Sequence, residues 1–259
     1  MFGLILAASM AVSGCDAPEP VVSAATVIGR ARGVEETGVR YCEYFLPQDT
    51  GQVRVVYYAP GKPAGRKIAE KWISGEADNT GMLRETRPQI SQEDFRSGEI
   101  RQATRVTDGW QLRYRADRDA TYRDAAFSDT QVDVIDAGFD ALVRQHWSSL
   151  KAGETLQFQF ASPVHGRTVG LRAAVTPCQN PGAALCIRVD LAQTLLRWVA
   201  GGDIYLEYSL GTRAGAAEGV AEIGGKGSDA PRLLRFIGVT NLLDDSGDPQ
   251  RLQLDYFYR

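Results

Sequence analysis

Alternation of apolar and polar residues is the most frequent pattern along the chain. In Trp110–Arg115 every second side chain is apolar, which is typical of a β-strand with one buried face. Similar short runs, each bounded by Gly, Pro, Asp or Asn, recur throughout the sequence. They predict strands at 40–46, 53–59, 66–73, 99–106, 110–115, 131–135, 155–161, 168–176, 185–189, 204–210, 232–240 and 251–258.

Two segments repeat their apolar residues with helical spacing. The clearer stripe consists of Phe139, Leu142, Val143, Trp147 and Leu150. It predicts a helix that is capped by Asp136 and stops at Gly153. A second, shorter helix is predicted from Leu191 to about Ala200, after a cap at Asp190. Many strands and few helices indicate an α+β fold, with a mostly antiparallel, curved or half-barrel β-sheet packed on one or two helices.

The composition is that of a globular protein. Hydrophobic residues make up 44% and charged residues 24% of the 259 positions, so the chain can bury a sizeable core. The segments 74–94 and 211–231 lack a clear period and are predicted to be irregular. No repeat and no shift in composition divides the chain, which predicts one domain. A net charge of -3 provides no positive field for phosphates, which argues against nucleic acid as a partner.

The N-terminus has the pattern of an export signal. The apolar run Phe2–Val12 is too short for a hydrocarbon core of about 30 Å but fits the hydrophobic part of a secretory signal. It is followed by Val12-Ser13-Gly14-Cys15, which resembles the bacterial lipobox. The resemblance implies lipidation of Cys15, and hence a chain anchored to a membrane of the cell envelope and facing the periplasm.

The resemblance sets the expected division of the chain. Residues 1–14 are a lipoprotein signal peptide, 15–26 a lipid-anchored, solvated tether, and 27–259 a single β-rich globular domain. The alternatives are an ordinary secretory signal with an accidental Cys, or a buried N-terminal strand. Asp16 is similar to an inner-membrane retention signal, a rule that varies between bacteria, so inner versus outer membrane stays open.

Two further likenesses are weaker. The order of elements resembles that of half-barrel lipoprotein carriers, without a shared motif. The stretch 235–248 is similar to the tails of uncharacterised exported proteobacterial proteins, a likeness that names no activity.

Export places the remaining cysteines in an oxidising compartment, where disulfides persist. Cys178 and Cys186 flank a turn-rich connection between two predicted strands, which predicts a disulfide between them. Cys42 is then odd and is interpreted as a buried apolar residue. Three cysteines and two distant histidines lack the close spacing of metal ligands, so no metal site is assigned.

The candidates for catalysis have simpler interpretations. His146, beside the apolar stripe, is interpreted as a packing residue, and His165 as an exposed residue of a turn. The carboxylate pairs Glu93/Asp94 and Asp133/Asp136 are interpreted as exposed turn residues, and Asp244–Asp248 as a hairpin turn. The Gly-rich stretches at 61–67 and 224–227 do not have the spacing of phosphate-binding loops. We therefore assign no catalytic residue and no cofactor.

Aromatic residues are concentrated in the predicted strands. They are interpreted as core residues, with the alternative that they line an apolar cavity. The set consists of Tyr41, Tyr44, Phe45, Tyr57, Tyr58, Tyr205, Tyr208, Tyr256, Phe257 and Tyr258.

Three function classes remain after these exclusions. The leading hypothesis is a non-enzymatic envelope lipoprotein that binds a lipid, another apolar ligand or an envelope protein. The first alternative is an envelope hydrolase whose site is assembled from distant residues, which requires a histidine close to a Ser and a carboxylate. The second is a structural tether.

Overall fold

The computed structural model describes residues 12–76, 83–192, 202–210 and 230–259. These residues form a sheet of fifteen strands, in the order β8-β7-β6-β5-β4-β3-β2-β1-β15-β14-β13-β12-β11-β10-β9. Neighbouring strands are antiparallel, except for the parallel pair of β9 and β10. The strands are β1 (Val27–Gly33), β2 (Val39–Pro47), β3 (Val53–Ala59), β4 (Arg66–Ser74), β5 (Gln89–Asp94), β6 (Ile100–Val106), β7 (Gly109–Arg115), β8 (Arg123–Ser128), β9 (Val134–Ile135), β10 (Leu156–Ser162), β11 (Arg167–Val175), β12 (Leu185–Leu191), β13 (Ile204–Leu210), β14 (Pro231–Leu243) and β15 (Pro249–Tyr258).

Helical structure is scarce. The described α-helices are α1 (Glu19–Ala24), α2 (Gly138–Gln145) and α3 (Trp147–Lys151), besides a single 3-10 turn at Asp129–Gln131. None of the helices in the described ranges is long and apolar enough to cross a membrane. The expected α+β class is therefore wrong, because the chain is nearly all β, with an open, mostly antiparallel sheet.

Over most of the main core the sheet is covered by its own strands rather than by a layer of helices. The main core joins Ala31, Val53 and Leu112, on one side of the strand order, to Ile135 and Ala161 at its far end. Such a core forms only if the sheet curves until its β9–β10 end lies over the face of β1–β7. We call this concave face the inner face and the opposite face the outer face.

All twelve predicted strands are confirmed, with shifted ends. The largest change is at 131–135, where the strand is reduced to Val134–Ile135. Three further strands, β1, β5 and β8, were not predicted. Their sequences, VIGRARG, QISQED and RDAAFS, are too polar or too interrupted for strand propensity to identify them.

The long helix predicted from Asp136 to Gly153 is divided at His146 into α2 and α3. Asp136 does not cap it, because this residue has a left-handed φ of 45° and helix α2 begins after Ala137. Gly153, at a φ of 86°, follows the end of α3 as predicted. Asp190 lies within strand β12 rather than at a helix start. The rest of the second predicted helix, at 193–201, and the segment 211–229 lie outside the described residues.

The segment expected to be a solvated tether packs against the sheet. The Ala17 amide donates to the Tyr44 hydroxyl at 3.2 Å, and helix α1 follows in place of an extended chain. Cys15 and Ala25 join a small core on the outer face of β1–β3. The other buried members of this core are Ile28, Cys42, Tyr44, Leu46, Val56 and Tyr58.

Candidate functional site

The described residues form a cleft of about 540 Å³ at one end of the molecule. Strand ends and the C-terminal end of α2 surround it. We call it the arginine cleft. Its lining consists of Ser74, Gly75, Arg84, Glu85, Thr86, Arg87, Gln89, Arg105, Trp110 and Gln145. The lining is mainly charged and polar, unlike the apolar cavity expected for a lipid-binding protein.

A hairpin positions one wall of the arginine cleft. Strands β6 and β7 are joined by a tight turn, and their register places Arg105 directly opposite Trp110. The Arg105 guanidinium lies over the Trp110 ring, 5.4 Å from its centroid. The Trp110 side chain is buried, and its indole N–H has no hydrogen-bond partner among the described residues. The wall therefore presents the Arg105 cation, held against the face of a buried aromatic ring.

The opposite wall is formed by the 84–86 segment, which packs closely against helix α2 and the residues just before it. The Ile135 amide donates to the Thr86 carbonyl at 3.0 Å. A Cβ at Gly138 would lie 1.9 Å from the same oxygen, so only glycine allows α2 to begin here. At the other end of α2, the Gln145 side chain donates to the Arg84 carbonyl at 2.8 Å. Both ends of α2 thus fix the 84–86 segment that lines the cleft.

Charges in and around the arginine cleft are unevenly balanced. Asp129 accepts from Arg87 at 3.2 Å and from Arg105 Nη2 at 2.6 Å. Glu85 accepts from the Glu76 amide, and none of the described side chains pairs with the exposed Arg84 guanidinium. Three guanidinium groups therefore face two carboxylates, which leaves one positive charge in excess.

A band of buried polar residues crosses the inner face. Lys71, Gln92 and Arg101 are successive cross-strand neighbours on β4, β5 and β6. We call these residues, together with Glu43, Asp94 and Glu99, the polar inner band. Each is 8% exposed or less. Burial of so many polar groups is costly unless they are paired.

Lys71 pairs across the molecule with Asp136, at 2.7 Å. The carboxylate also accepts from the Ala137 amide, which holds the left-handed turn before α2. Burial raises the pKa of the nearby Glu43 to about 7, against the opposing effect of Lys71. The Asp136 charge raises it further. Gly29 makes room for this carboxylate, since a Cβ there would lie 3.1 Å from Glu43 Oε2.

All four cysteines are paired. Cys178 is bonded to Cys186 as predicted, and Cys15 is bonded to Cys42. The interpretation of Cys42 as an unpaired residue is therefore wrong. The reason is that the N-terminal segment lies on the outer face beside β2, which sequence spacing could not show. The Cys15 sulfur that the lipobox-like motif would lipidate is occupied in this structure.

Neither histidine has the surroundings of a general base. His146 is exposed, so its interpretation as a packing residue is wrong, whereas His165 is exposed as expected. In the described part of the chain, neither side chain hydrogen-bonds to a Ser or a carboxylate. Partial burial and the charges of Arg167, Arg101 and Arg123 lower the pKa of His165. The geometric requirement for the hydrolase alternative is not met.

The carboxylate pairs are separated. Glu93 is exposed while Asp94 is buried and bonded to Arg96 at 2.6 Å, because adjacent strand residues point to opposite faces. Asp133 accepts from the Gln159 amide, away from the Lys71–Asp136 pair.

The remaining predictions concern a hairpin turn, a metal site and a Gly-rich loop. Asp244 accepts from the amides of Ser246 and Asp248, which confirms the hairpin turn between β14 and β15. Among the described residues, no group of three or more His, Cys, Asp and Glu side chains is placed to hold a metal ion. The Gly-rich stretch at 224–227 lies outside them.

The aromatic residues of this set mostly fill cores and do not line the arginine cleft. Tyr41 and Tyr57 contact each other in the main core, whereas Tyr44 and Tyr58 do so on the outer face. The residues of the arginine cleft were not identified from the sequence. One available signal was the short gap between the predicted strands at 99–106 and 110–115, where a tight turn at 107–108 places Arg105 beside Trp110.

Comparison with known proteins gives no family. No family model and no curated protein matches the chain. One solved structure that it resembles is a porin-like protein from Bacteroides uniformis, with 10% identity and a TM-score of 0.27. The alignment covers 95% of this chain and 100% of the other. A TM-score this low supports no conclusion about fold or function.

Proposed function

We propose that this chain is a non-enzymatic binding protein of the bacterial cell envelope that takes a small anionic ligand in the arginine cleft. The observation that carries the proposal is the convergence of Arg84, Arg87 and Arg105 on one cleft of about 540 Å³. A guanidinium presents a planar fork of donors that matches carboxylate and phosphate oxygens. The polar lining favours this ligand class over the apolar ligand expected from the sequence.

The existing ion pairs leave the cleft able to bind an anion. Asp129 holds Arg87 and Arg105 side by side, but each of the three residues is between 34% and 44% exposed. Exposed pairs of this kind contribute only about 0–1 kcal/mol, so an incoming anion displaces little stabilisation. Asp129 is thus a positioning residue for the two arginines.

The envelope location rests on the cysteines. With all four paired, the chain suits an oxidising compartment such as the periplasm. The lipobox-like motif adds the proposal of a lipid anchor on Cys15. A lipid thioether and the Cys15–Cys42 disulfide cannot share one sulfur, so the anchored chain and the disulfide-bonded chain are alternative states. Fatty-acid labelling of the wild-type chain, followed by mass measurement, distinguishes them.

Titration calorimetry with inorganic phosphate and with citrate tests the ligand proposal. We expect saturable binding of at least one of these anions, weakening as NaCl is added because counterions compete for the same charges. Arg105→Gln should weaken the affinity by about tenfold, the effect of losing one charge-assisted hydrogen bond of about 1.4 kcal/mol.

Arg113→Gln is the matched control. Arg113 lies on the neighbouring strand β7 and pairs with Asp124 at 2.8 Å, outside the arginine cleft. This variant should bind like the wild type. Absence of binding to the wild type, or equal losses in Arg105→Gln and Arg113→Gln, contradicts the proposal.

A further inference from the structure

Four buried polar atoms of the inner face lack hydrogen-bond partners among the described residues. They are Tyr41 Oη, Gln92 Oε1, Glu99 Oε2 and Arg101 Nε. The four residues are between 1% and 8% exposed. An orphaned buried polar atom costs about 1–3 kcal/mol, and most such atoms in folded proteins are bonded to protein or to ordered water. Four of them together require an explanation.

The four atoms belong to one neighbourhood. Gln92 and Arg101 are cross-strand neighbours, and Arg101 Nη2 donates to Glu99 Oε1 at 2.8 Å. Burial and the Glu43 charge raise the pKa of Tyr41, and the charges of Arg96 and Arg101 lower it. The Thr240 hydroxyl influences that pKa as well, but its geometry falls short of a hydrogen bond with Tyr41.

Two polar groups nearby are already paired. Gln92 Nε2 donates to the Asn241 carbonyl at 3.0 Å, and Asp94 is bonded to Arg96. The Tyr114 hydroxyl lies near Glu99, and that carboxylate adds to the effect of burial in raising the Tyr114 pKa. No hydrogen bond of normal geometry joins this hydroxyl to Glu99 Oε2.

We propose that Tyr41, Gln92, Glu99 and Arg101 enclose an internal site that holds a cluster of ordered water molecules. The site offers two acceptors, one N–H donor and one hydroxyl that can do either, which is the mixture that water satisfies. It is electrically neutral, since Glu99 pairs with Arg101 and Asp94 with Arg96. Neutrality and complete burial exclude the small anions proposed for the arginine cleft. The water links β2 to β5 and β6 across the concave inner face.

The direction in which one substitution changes the melting temperature tests this proposal. Tyr41→Phe removes only the hydroxyl. If that hydroxyl is bonded to internal water, the variant loses a hydrogen bond, and the melting temperature should fall by about 3 °C. If the hydroxyl is orphaned in a dry interior, its removal should leave the melting temperature unchanged or raise it. Tyr122→Phe, at a tyrosine that is 44% exposed, is the control and should have no effect.

A crystal structure of the wild-type chain at about 1.8 Å resolution or better gives the direct observation. We expect ordered water within about 3.2 Å of Gln92 Oε1 and of Glu99 Oε2. Two results overturn the proposal. One is a melting temperature of Tyr41→Phe that equals or exceeds that of the wild type. The other is a crystal structure in which the four atoms bond to protein groups or face an empty space.

Discussion

The two halves of the inner face have opposite chemistry. On β2–β6 the polar inner band buries Glu43, Lys71, Gln92 and Arg101 among the apolar residues of the main core. On β10–β13 the inner face is apolar and packs against Leu142 and Val143 of α2. The strand residues of this second core include Phe158, Ala173, Ile187, Val189 and Leu206. Charged residues of these strands, such as Arg172 and Arg188, pair outside the second core, with Asp190.

The difference shows how one sheet uses two ways of closing on itself. The apolar half is held by burial and close packing, which depend little on pH or salt. The polar half depends on each buried group finding its partner, because an unpaired charge in the interior is severely destabilising. Stability of the polar half should therefore respond to pairing and protonation, and stability of the apolar half to side-chain volume.

The largest expected effect is at the Lys71–Asp136 pair. Asp136→Asn retains a residue that tolerates a left-handed φ but leaves the Lys71 charge buried without its partner. We expect a loss of about 3–5 kcal/mol in the free energy of unfolding, measured by urea denaturation. The double variant Lys71→Met/Asp136→Asn should recover a large part of it, because both members of the pair are then uncharged. A single variant that costs less than about 1 kcal/mol contradicts this account of the polar half.

The next effect depends on pH. The folded pKa of Glu43, about 7, lies above its ordinary value of 4.5, so folding favours the protonated carboxyl. The stability that it contributes is complete below about pH 4.5 and is lost as the pH rises to about 7. Glu43→Gln should therefore stabilise the chain by about 3 kcal/mol at pH 8 and by little at pH 4. Denaturation curves at both pH values measure the difference.

Glu93→Gln is the control for Glu43, since Glu93 is exposed on β5. It should show no such pH dependence. An equal stability difference for Glu43→Gln at both pH values shows that this carboxyl is not held protonated by the fold.

The smallest effect is expected in the apolar half. Ile187 is completely buried in the second core, and Ile187→Val removes one methylene. The cost should be about 1 kcal/mol at pH 4 and at pH 8 alike, measured by the same denaturation curves. A pH-dependent cost would mean that the two halves are not as distinct as their side chains indicate.

Most of the strands could be predicted from the sequence, whereas the way in which the sheet curves to cover the main core could not. The alternation in Trp110–Arg115 identifies β7 because its pattern is local. Strand β8 carries no such pattern, since its residues RDAAFS are stabilised by pairing with β7 rather than by their own propensity. The apolar stripe around Leu142 does pack against β10–β13, but the chain divides the predicted helix at His146. Over the main core, the curved sheet itself supplies the cover.

The candidate site was even less predictable. Arg84 and Arg105 are far apart in sequence. The pairing of β5 with β6 and the contacts of the 84–86 segment with α2 bring both residues to one cleft. The Cys178–Cys186 bond was predictable because a short hairpin joins the two residues. The Cys15–Cys42 bond was not, because it depends on the N-terminal segment folding back over β2.

The sequence by itself therefore determined the strands with alternating patterns, the short-range disulfide and the hairpin turn at Asp244–Asp248. These features depend on residues a few positions apart, so local geometry is sufficient to specify them. The tertiary structure decided the fold class, the partner of Cys15, the burial of the polar inner band and the assembly of the arginine cleft. The partner of Cys15 and the arginine cleft depend on contacts between segments that are distant in sequence. The fold class and the burial of the polar inner band depend on how far the sheet curves, and that curvature results from the packing of all the strands together.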